Sequence, residues 1–508
     1  MQTAAGAVRG RWRRDADARG REVVSAAFLG IPYAQAPVGD LRFATPVPPE
    51  PWPGVRDALT HGPTPCRIDP GDTLIPEPVV PGDATLNVDV FTPSPGDTDA
   101  GLPVLVYIHG GGYVSGSPAS PWYDGRAFAR DGVVTVTVSY RLGFDGFGHI
   151  EDAVSNRGVR DWLAALAWVQ ENIAAFGGDP ARVTIAGQSA GGGAVLTLLG
   201  MPAAQHLFHS AWAMSAAIAD VSPERARVFT NRLAELAGVP ATRDGFASVP
   251  EAELVARQEA AGTPQSRDRL APFRAILADG LAWGPMIDGD LLTRPTLDSL
   301  TAGVGADKPL VLGTTDDEFT MATDSVRGRV RLLPAGLALA ILRVAAPIRR
   351  RYLADNRAQR RLGTAALLGR YVTDTVFRRL VVRVADARAA WADTAGRTAA
   401  ATARPGPAPT WVYRFTWPSP TRRWALHCLD VPFWFDCLGA DRVAVLAGDA
   451  PPQALADAVH GAAVALVRGD DPGWPAWSHQ SGTTRMFGAP ASTPDVIADG
   501  YASVRALV

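Results

Sequence analysis

The chain has 508 residues, 47% of them hydrophobic and 20% charged, a balance that excludes a disordered protein. Its 49 basic and 51 acidic residues leave a formal net charge of -2, so no overall excess exists to hold a nucleic acid or an anionic membrane. Three cysteines are too few for a dense disulfide framework or a four-cysteine zinc site. Length alone points to about three domains. Lys308 is the single lysine; every other basic residue is arginine. With abundant Ala, Gly and Pro, this fits a GC-rich, bacterial coding sequence. The first ten residues lack an apolar leader core, so a cytoplasmic protein is expected.

Taken in chain order, Thr45 to Pro53 is Pro-rich and reads as an extended surface loop. Leu102 to Ile108 is a nearly continuous apolar run, suited to a strand buried on both faces. Val133 to Ser139 is β-branched almost throughout and is the next strand. Trp162 to Phe176 is helical, with Leu163, Leu166, Val169 and Ile173 on one face, and Gly177-Gly178-Asp179-Pro180 stops it. Val183 to Ala186 is a third strand, followed by an apolar helix from about Ala194.

From about Ser222 to Thr394 the chain is mainly helical, apart from a strand near Pro309 to Gly313. Within this part, Leu332 to Leu342 is apolar and flanked by arginines, Arg327, Arg329 and Arg331 before it, Arg349, Arg350 and Arg351 after it. It falls short of the ~20 residues of a spanning helix. A helix packed on the protein's own surface is expected, with no membrane partner. Thr398 to Thr410 reads as a loop joining helix to strand, and Trp411 to Phe415 and Arg485 to Phe487 as late strands. Alternation of this kind predicts an α/β fold with a mostly parallel sheet flanked by helices.

Two motifs carry chemistry. Gly187-Gln188-Ser189-Ala190-Gly191 fits G-x-S-x-G between a strand and a helix. Such an elbow strains the backbone and exposes the serine hydroxyl, with glycines where side chains would clash. The competing reading is a tight turn in which Ser189 is a polar filler. His109-Gly110-Gly111-Gly112-Tyr113 follows a strand, about 80 residues upstream. Its bare backbone N–H groups, with that of Ala190, form a candidate oxyanion hole.

These residues resemble the type-B carboxylesterase and cholinesterase family of α/β-hydrolases, in particular its bacterial para-nitrobenzyl-esterase-like branch. The resemblance runs from about Gly6 to Phe487. It is carried by Phe28-Leu29-Gly30-Ile31-Pro32-Tyr33-Ala34, Pro37-Val38-Gly39, Leu41-Arg42-Phe43 and Pro51-Trp52-Pro53-Gly54-Val55-Arg56-Asp57-Ala58. Phe176-Gly177-Gly178-Asp179-Pro180 before the elbow, then Asp471-Pro472 and Arg485-Met486-Phe487, extend it. The resemblance implies one α/β-hydrolase domain over 1–508 with a mainly helical insertion at about 222–400.

It also implies the rest of the triad. Gly313-Thr314-Thr315-Asp316-Asp317-Glu318 is similar to the segment whose glutamate is the family's acid, making Glu318 the acid with Asp316 and Asp317 as rivals. His427 sits in His427-Cys428-Leu429-Asp430-Val431-Pro432-Phe433, which looks like the family's H-x-x-E-[LI]-P-[FY] with Asp430 in place of glutamate. The order Ser189, Glu318, His427 is the α/β-hydrolase order. Of the other seven histidines, His61 precedes the sheet, His109 belongs to the glycine loop, His149, His206 and His209 lie near the elbow where the fold order does not place the base, and His460 and His479 have no comparable motif.

The implied activity is hydrolysis of small to medium uncharged carboxylic esters through an acyl-enzyme, with no metal or cofactor. Carbamate, amide or thioester cleavage and acyl transfer by the same triad are alternatives. A non-catalytic scaffold member would lack part of the triad. The expected partner is a small-molecule ester, in a monomer or small homo-oligomer. Tyr113, Gln188, Phe319 and Trp434 are candidate pocket residues because they neighbour the motifs. Gln188 stands where glutamate is usual, which disfavours cationic substrates, and Phe319 where glycine is common. Cys66 matches one end of the family's first-loop disulfide but has no partner cysteine, so a free thiol is expected. By analogy, Arg42 pairs with Asp83 and Arg141 with Asp161.

Overall fold

The computed structural model describes the chain except residues 17–19, 21, 69, 70, 72, 264, 265, 267, 269 and 400–405. Its centre is an eleven-stranded sheet among the described residues. In chain order the strands are β1 (Arg11–Ala16), β2 (Glu22–Pro32), β3 (Asn87–Thr92), β4 (Leu102–Ile108), β5 (Val134–Val138) and β6 (Gly178–Gln188). They continue with β7 (Ser210–Met214), β8 (Leu310–Thr315), β9 (Thr410–Phe415), β10 (Thr484–Phe487) and β11 (Val496–Ile497). The spatial order is β11-β10-β9-β8-β7-β6-β4-β5-β3-β2-β1. The strands from β10 through β5 pair in parallel, and the outer ones antiparallel. This is the sheet of an α/β-hydrolase.

The strands follow their composition. The apolar run of β4 is buried from Pro103 to Ile108, and the Val/Thr run of β5 throughout, as a sheet covered on both faces requires. Helix α1 (Arg157–Asn172) buries Val159, Trp162, Leu166 and Val169 on one side. It passes into a short 3-10 turn, Ile173–Phe176, and ends at Gly177 with φ 84°, where a side chain would be strained. Loops 45–53 and 406–409 are non-helical as expected; of the predicted Thr398 to Thr410 loop, residues 400–405 lie outside the described residues, residues 398 and 399 still belong to the helix Arg379–Ala399, and Thr410 opens β9.

One boundary differs instructively. The apolar helix after the elbow, α2 (Ala190–Leu199), starts directly behind Ser189 and not near Ala194, and all ten of its residues are buried. The glycines behind the elbow serine are themselves helical. A Cβ on Gly191 would lie 2.0 Å from the Ile108 carbonyl oxygen, and one on Gly193 2.1 Å from that of Ala217. They are glycine because the helix presses backbone to backbone on the end of β4 and on the loop after β7.

Two large cores cover the sheet. One holds α1, α2 and their contacts, the other the helix Gln453–Arg468 and the segment around His427. Most of the chain between β7 and β9 is helical, with β8 threaded through it. No helix among the described residues is long and apolar enough to cross a membrane.

Of the two expected ion pairs, Arg141 meets Asp161 at 2.7 Å in full burial. Arg42 does not pair with Asp83. It pairs with Asp145 at 2.7 Å and donates to the Val249 carbonyl, because the helix Gly143–Phe147 delivers a carboxylate from inside while the Asp83 loop passes outside. Cys66, Cys428 and Cys437 are free.

Candidate active site

The elbow is built by backbone conformation. Ser189 has φ 60° and ψ -122°, a strained region for a residue with a Cβ. It is held by three bonds: its N–H donates to the Met214 carbonyl, and its carbonyl accepts from Gly193 and Ala217. Its side chain is half-buried and forms no hydrogen bond among the described residues. Ala190 opens α2, so its N–H is among the unpaired donors of a helix N-terminus.

The glycine loop crosses directly above. A Cβ on Gly110 would lie 2.7 Å from the Gln188 carbonyl oxygen and 3.1 Å from Cβ of Ser189. Gly111 and Gly112 have φ 113° and 63°, values that glycine adopts freely. Their N–H groups form no bond among the described residues, while the Gly111 carbonyl accepts from Val114 and Ser115 to close the turn. Unpaired backbone donors therefore lie on both segments, and Gly110 brings the glycine loop into contact with the elbow.

Glu318 follows β8 and is 0% exposed. Its Oε1 accepts from the Thr315 N–H at 3.0 Å, and its Oε2 lies 2.5 Å from Nδ1 of His427. The His427 N–H donates to the Glu318 carbonyl, and the Asp317 N–H to that of Ala425. The two segments are thus stitched by backbone before the side chains meet. A carboxylate at Nδ1 fixes that nitrogen as the donor and leaves a lone pair on Nε2. Burial opposes charge on the ring, but the Cys428 sulfur and the Glu318 carboxylate hold His427 well above its ordinary range. The rival acids are engaged elsewhere, Asp316 with Arg414 at 2.7 Å and Asp317 with Arg370 at 3.0 Å.

Other histidines have structural places. His109 is buried and stacked on Tyr140, and burial lowers it to about 4. His61 meets Asp89, His460 meets Asp131 and His479 meets Asp386.

The four candidate pocket residues separate. Gln188 is buried, with Nε2 3.1 Å from Nε2 of His427. Phe319 stacks on the His427 ring, centroids 5.0 Å apart. Tyr113 is 0% exposed; it packs on Phe147 and Trp162 and donates to the Ala217 carbonyl. It supports the glycine loop from behind and does not line a pocket. Trp434 belongs to the core on the far face, against Phe128 and Trp212. Neighbourhood in sequence did not become neighbourhood at the pocket, because the chain turns these rings inward.

A cavity of about 480 Å³ borders the glycine loop at Gly112 and is walled by Val114, Gln258, Leu281 and Trp283. A second, about 270 Å³, reaches Ala217 and Thr375 and shares Ile276 and Leu281 with the first. Among residues without a motif, Phe377 contacts both His427 and Phe319, from a helical segment whose pattern carries no chemical signal. Cys428, with φ 69°, was adjacent to His427 in plain sight. Among the described residues no group of three or more His, Cys, Asp or Glu is placed to hold a metal ion.

Comparison with known proteins identifies the family. A model of the carboxylesterase family matches residues 1–445. The para-nitrobenzyl esterase of Bacillus subtilis (strain 168) is 32% identical over 480 residues, 91% of this chain and 90% of that protein. The fumonisin B1 esterase of Sphingopyxis macrogoltabida is 33% identical over 432 residues, 82% and 73% of the respective chains. A crystal structure of a Geobacillus stearothermophilus carboxylesterase superposes with a TM-score of 0.79 at 32% identity, covering 100% of this chain and 99% of that one.

Proposed function

The chain belongs to the carboxylesterase family and is a serine carboxylic-ester hydrolase, and from that premise we propose that Ser189, His427 and Glu318 are its triad. We read it as one α/β-hydrolase domain whose helical part, about 222–400, covers the site. The observation that carries the assignment is the buried Glu318–His427 contact, with Nε2 of the ring beside the residue that precedes Ser189.

His427 takes the Ser189 proton at Nε2 as the hydroxyl oxygen attacks an ester carbonyl. Glu318 orients the ring and stabilises the imidazolium. The N–H groups of Gly111, Gly112 and Ala190 hold the oxyanion. The proton passes to the leaving alcohol, and water attacks the acyl-enzyme by the same route. The substrate is a small to medium uncharged carboxylic ester. The apolar walls of the 480 Å³ cavity favour this, as does the neutral amide of Gln188 beside the ring.

A p-nitrophenyl ester series of increasing acyl length, run on the wild type and on Ser189→Ala, tests the reading. The variant loses turnover by roughly 10⁴- to 10⁶-fold, and the wild-type optimum sizes the acyl pocket. Undiminished hydrolysis by Ser189→Ala overturns the assignment.

A further inference from the structure

The arginine-flanked apolar stretch does not pack wholly on the protein. Helices Ala335–Ile341 and Ala346–Asp355 bury Leu339 and Tyr352, which form a small core with Val344 and Leu367. Exposed aliphatics also stand on and beside these helices. Leu332 is 86% exposed, Leu337 52% and Leu362 55%, and Ile341 and Ile348 also face solvent. Leu337 and Ile341 are four apart and share a helix face. An ordinary amphipathic helix turns polar residues outward; here large aliphatics and arginines are among the outward residues, with Asp355 the one acid.

The charge is equally one-sided. Residues 327–362 contain ten arginines and one acid, Asp355, within a chain of net charge -2. Among the described residues only Arg351 of the ten has an ion pair, with Asp355 at 3.0 Å. Arg327, Arg331, Arg343, Arg350, Arg357 and Arg360 are all exposed. Arg274 ties this segment to the helix Ala271–Asp279 through the Ile341 carbonyl. On that helix Ile276 is 50% exposed and borders both cavities, so the face runs to the rim of the cavity that meets Gly112.

We propose that this basic, aliphatic face docks on an anionic phospholipid bilayer, with the arginines on headgroup phosphates and Leu332, Leu337 and Ile341 at the acyl boundary. Cations with interspersed aliphatics match an interface that is anionic outside and apolar just beneath. A nucleic acid would use the arginines but gain nothing from exposed leucines, and the tyrosine of these two helices, Tyr352, is buried and cannot stack on a base.

The test is co-sedimentation of the full chain with vesicles of phosphatidylcholine alone, or with roughly one-third phosphatidylglycerol. Binding is expected to the anionic vesicles only and weakens with salt. Arg350→Glu/Arg357→Glu/Arg360→Glu weakens it at least ~100-fold. Leu332→Ser/Leu337→Ser weakens it about tenfold. Both variants keep wild-type turnover of p-nitrophenyl acetate, which shows that they fold. The proposal is overturned if anionic vesicles do not sediment the protein or if the charge-reversed variant binds them equally. It is also overturned if the serine variant binds as wild type while duplex DNA or polyglutamate competes equally well.

Discussion

Nε2 of Gln188 stands 3.1 Å from Nε2 of His427, on the ring edge opposite Glu318. With Nδ1 donating to the carboxylate, the Gln188 amide donates to the lone pair that Ser189 must also use. A carboxylate there would instead favour the imidazolium. Gln188→Glu is therefore expected to raise the acid limb of the kcat/KM profile by about one pH unit. It should also improve turnover of a quaternary-ammonium ester relative to its neutral isostere. A pH series on both substrates reads both effects, and an unmoved limb contradicts the contact.

The same ring sets the pH dependence of the wild type. His427 is held above its ordinary range, and the base must be neutral to act, so the acid limb is expected above pH 6.5. Glu318→Gln moves the limb down and lowers kcat by about 10³- to 10⁴-fold. For stability the sign is opposite in sense. A raised imidazole stabilises the fold below the unfolded value, and that contribution is lost as pH rises through the folded one.

Asp430 adds a second titration. Burial, then the Glu318 charge, raise its carboxyl to about 7. The folded state binds a proton there that the unfolded chain releases near pH 4, so stability falls as pH rises from about 4 to 7. Asp430→Asn is expected to stabilise the protein at pH 8 and to change it little at pH 4. Urea midpoints at the two pH values measure this, and equal shifts would refute it.

Phe319 lies on the imidazole face, with Phe377 against both. Such ring contacts are worth roughly 0.5–1.5 kcal/mol. Phe319→Gly should lower kcat/KM by about three- to tenfold, and Phe319→Tyr should retain it. A change in KM alone would make Phe319 a substrate contact and not a support for the base.

Gly191→Ala places a methyl 2.0 Å from the Ile108 carbonyl oxygen. Backbone must move, at a cost of about 1–3 kcal/mol or more. A lower Tm together with lost ester turnover is the expected result, and a fully active variant would show that α2 does not press on β4.

The sequence by itself determined the chemistry and the frame. The apolar run ending at Ile108, the strand before Gly187 and the glycine patterns are local signals, because strand burial and backbone strain act within a few residues. The Glu318 and His427 motifs were legible in the sequence, and the structure joins their side chains, with Gln188 of the serine elbow against the ring. Tertiary structure decided everything that depends on which way a side chain turns between distant segments. It put Trp434 and Tyr113 in the core, gave Arg42 to Asp145, set Phe319 on the base and brought in Phe377. It also turned Leu332 and Leu337 outward. An apolar residue obeys the same hydropathy in a core, a pocket wall or an exposed face, so only packing distinguishes them.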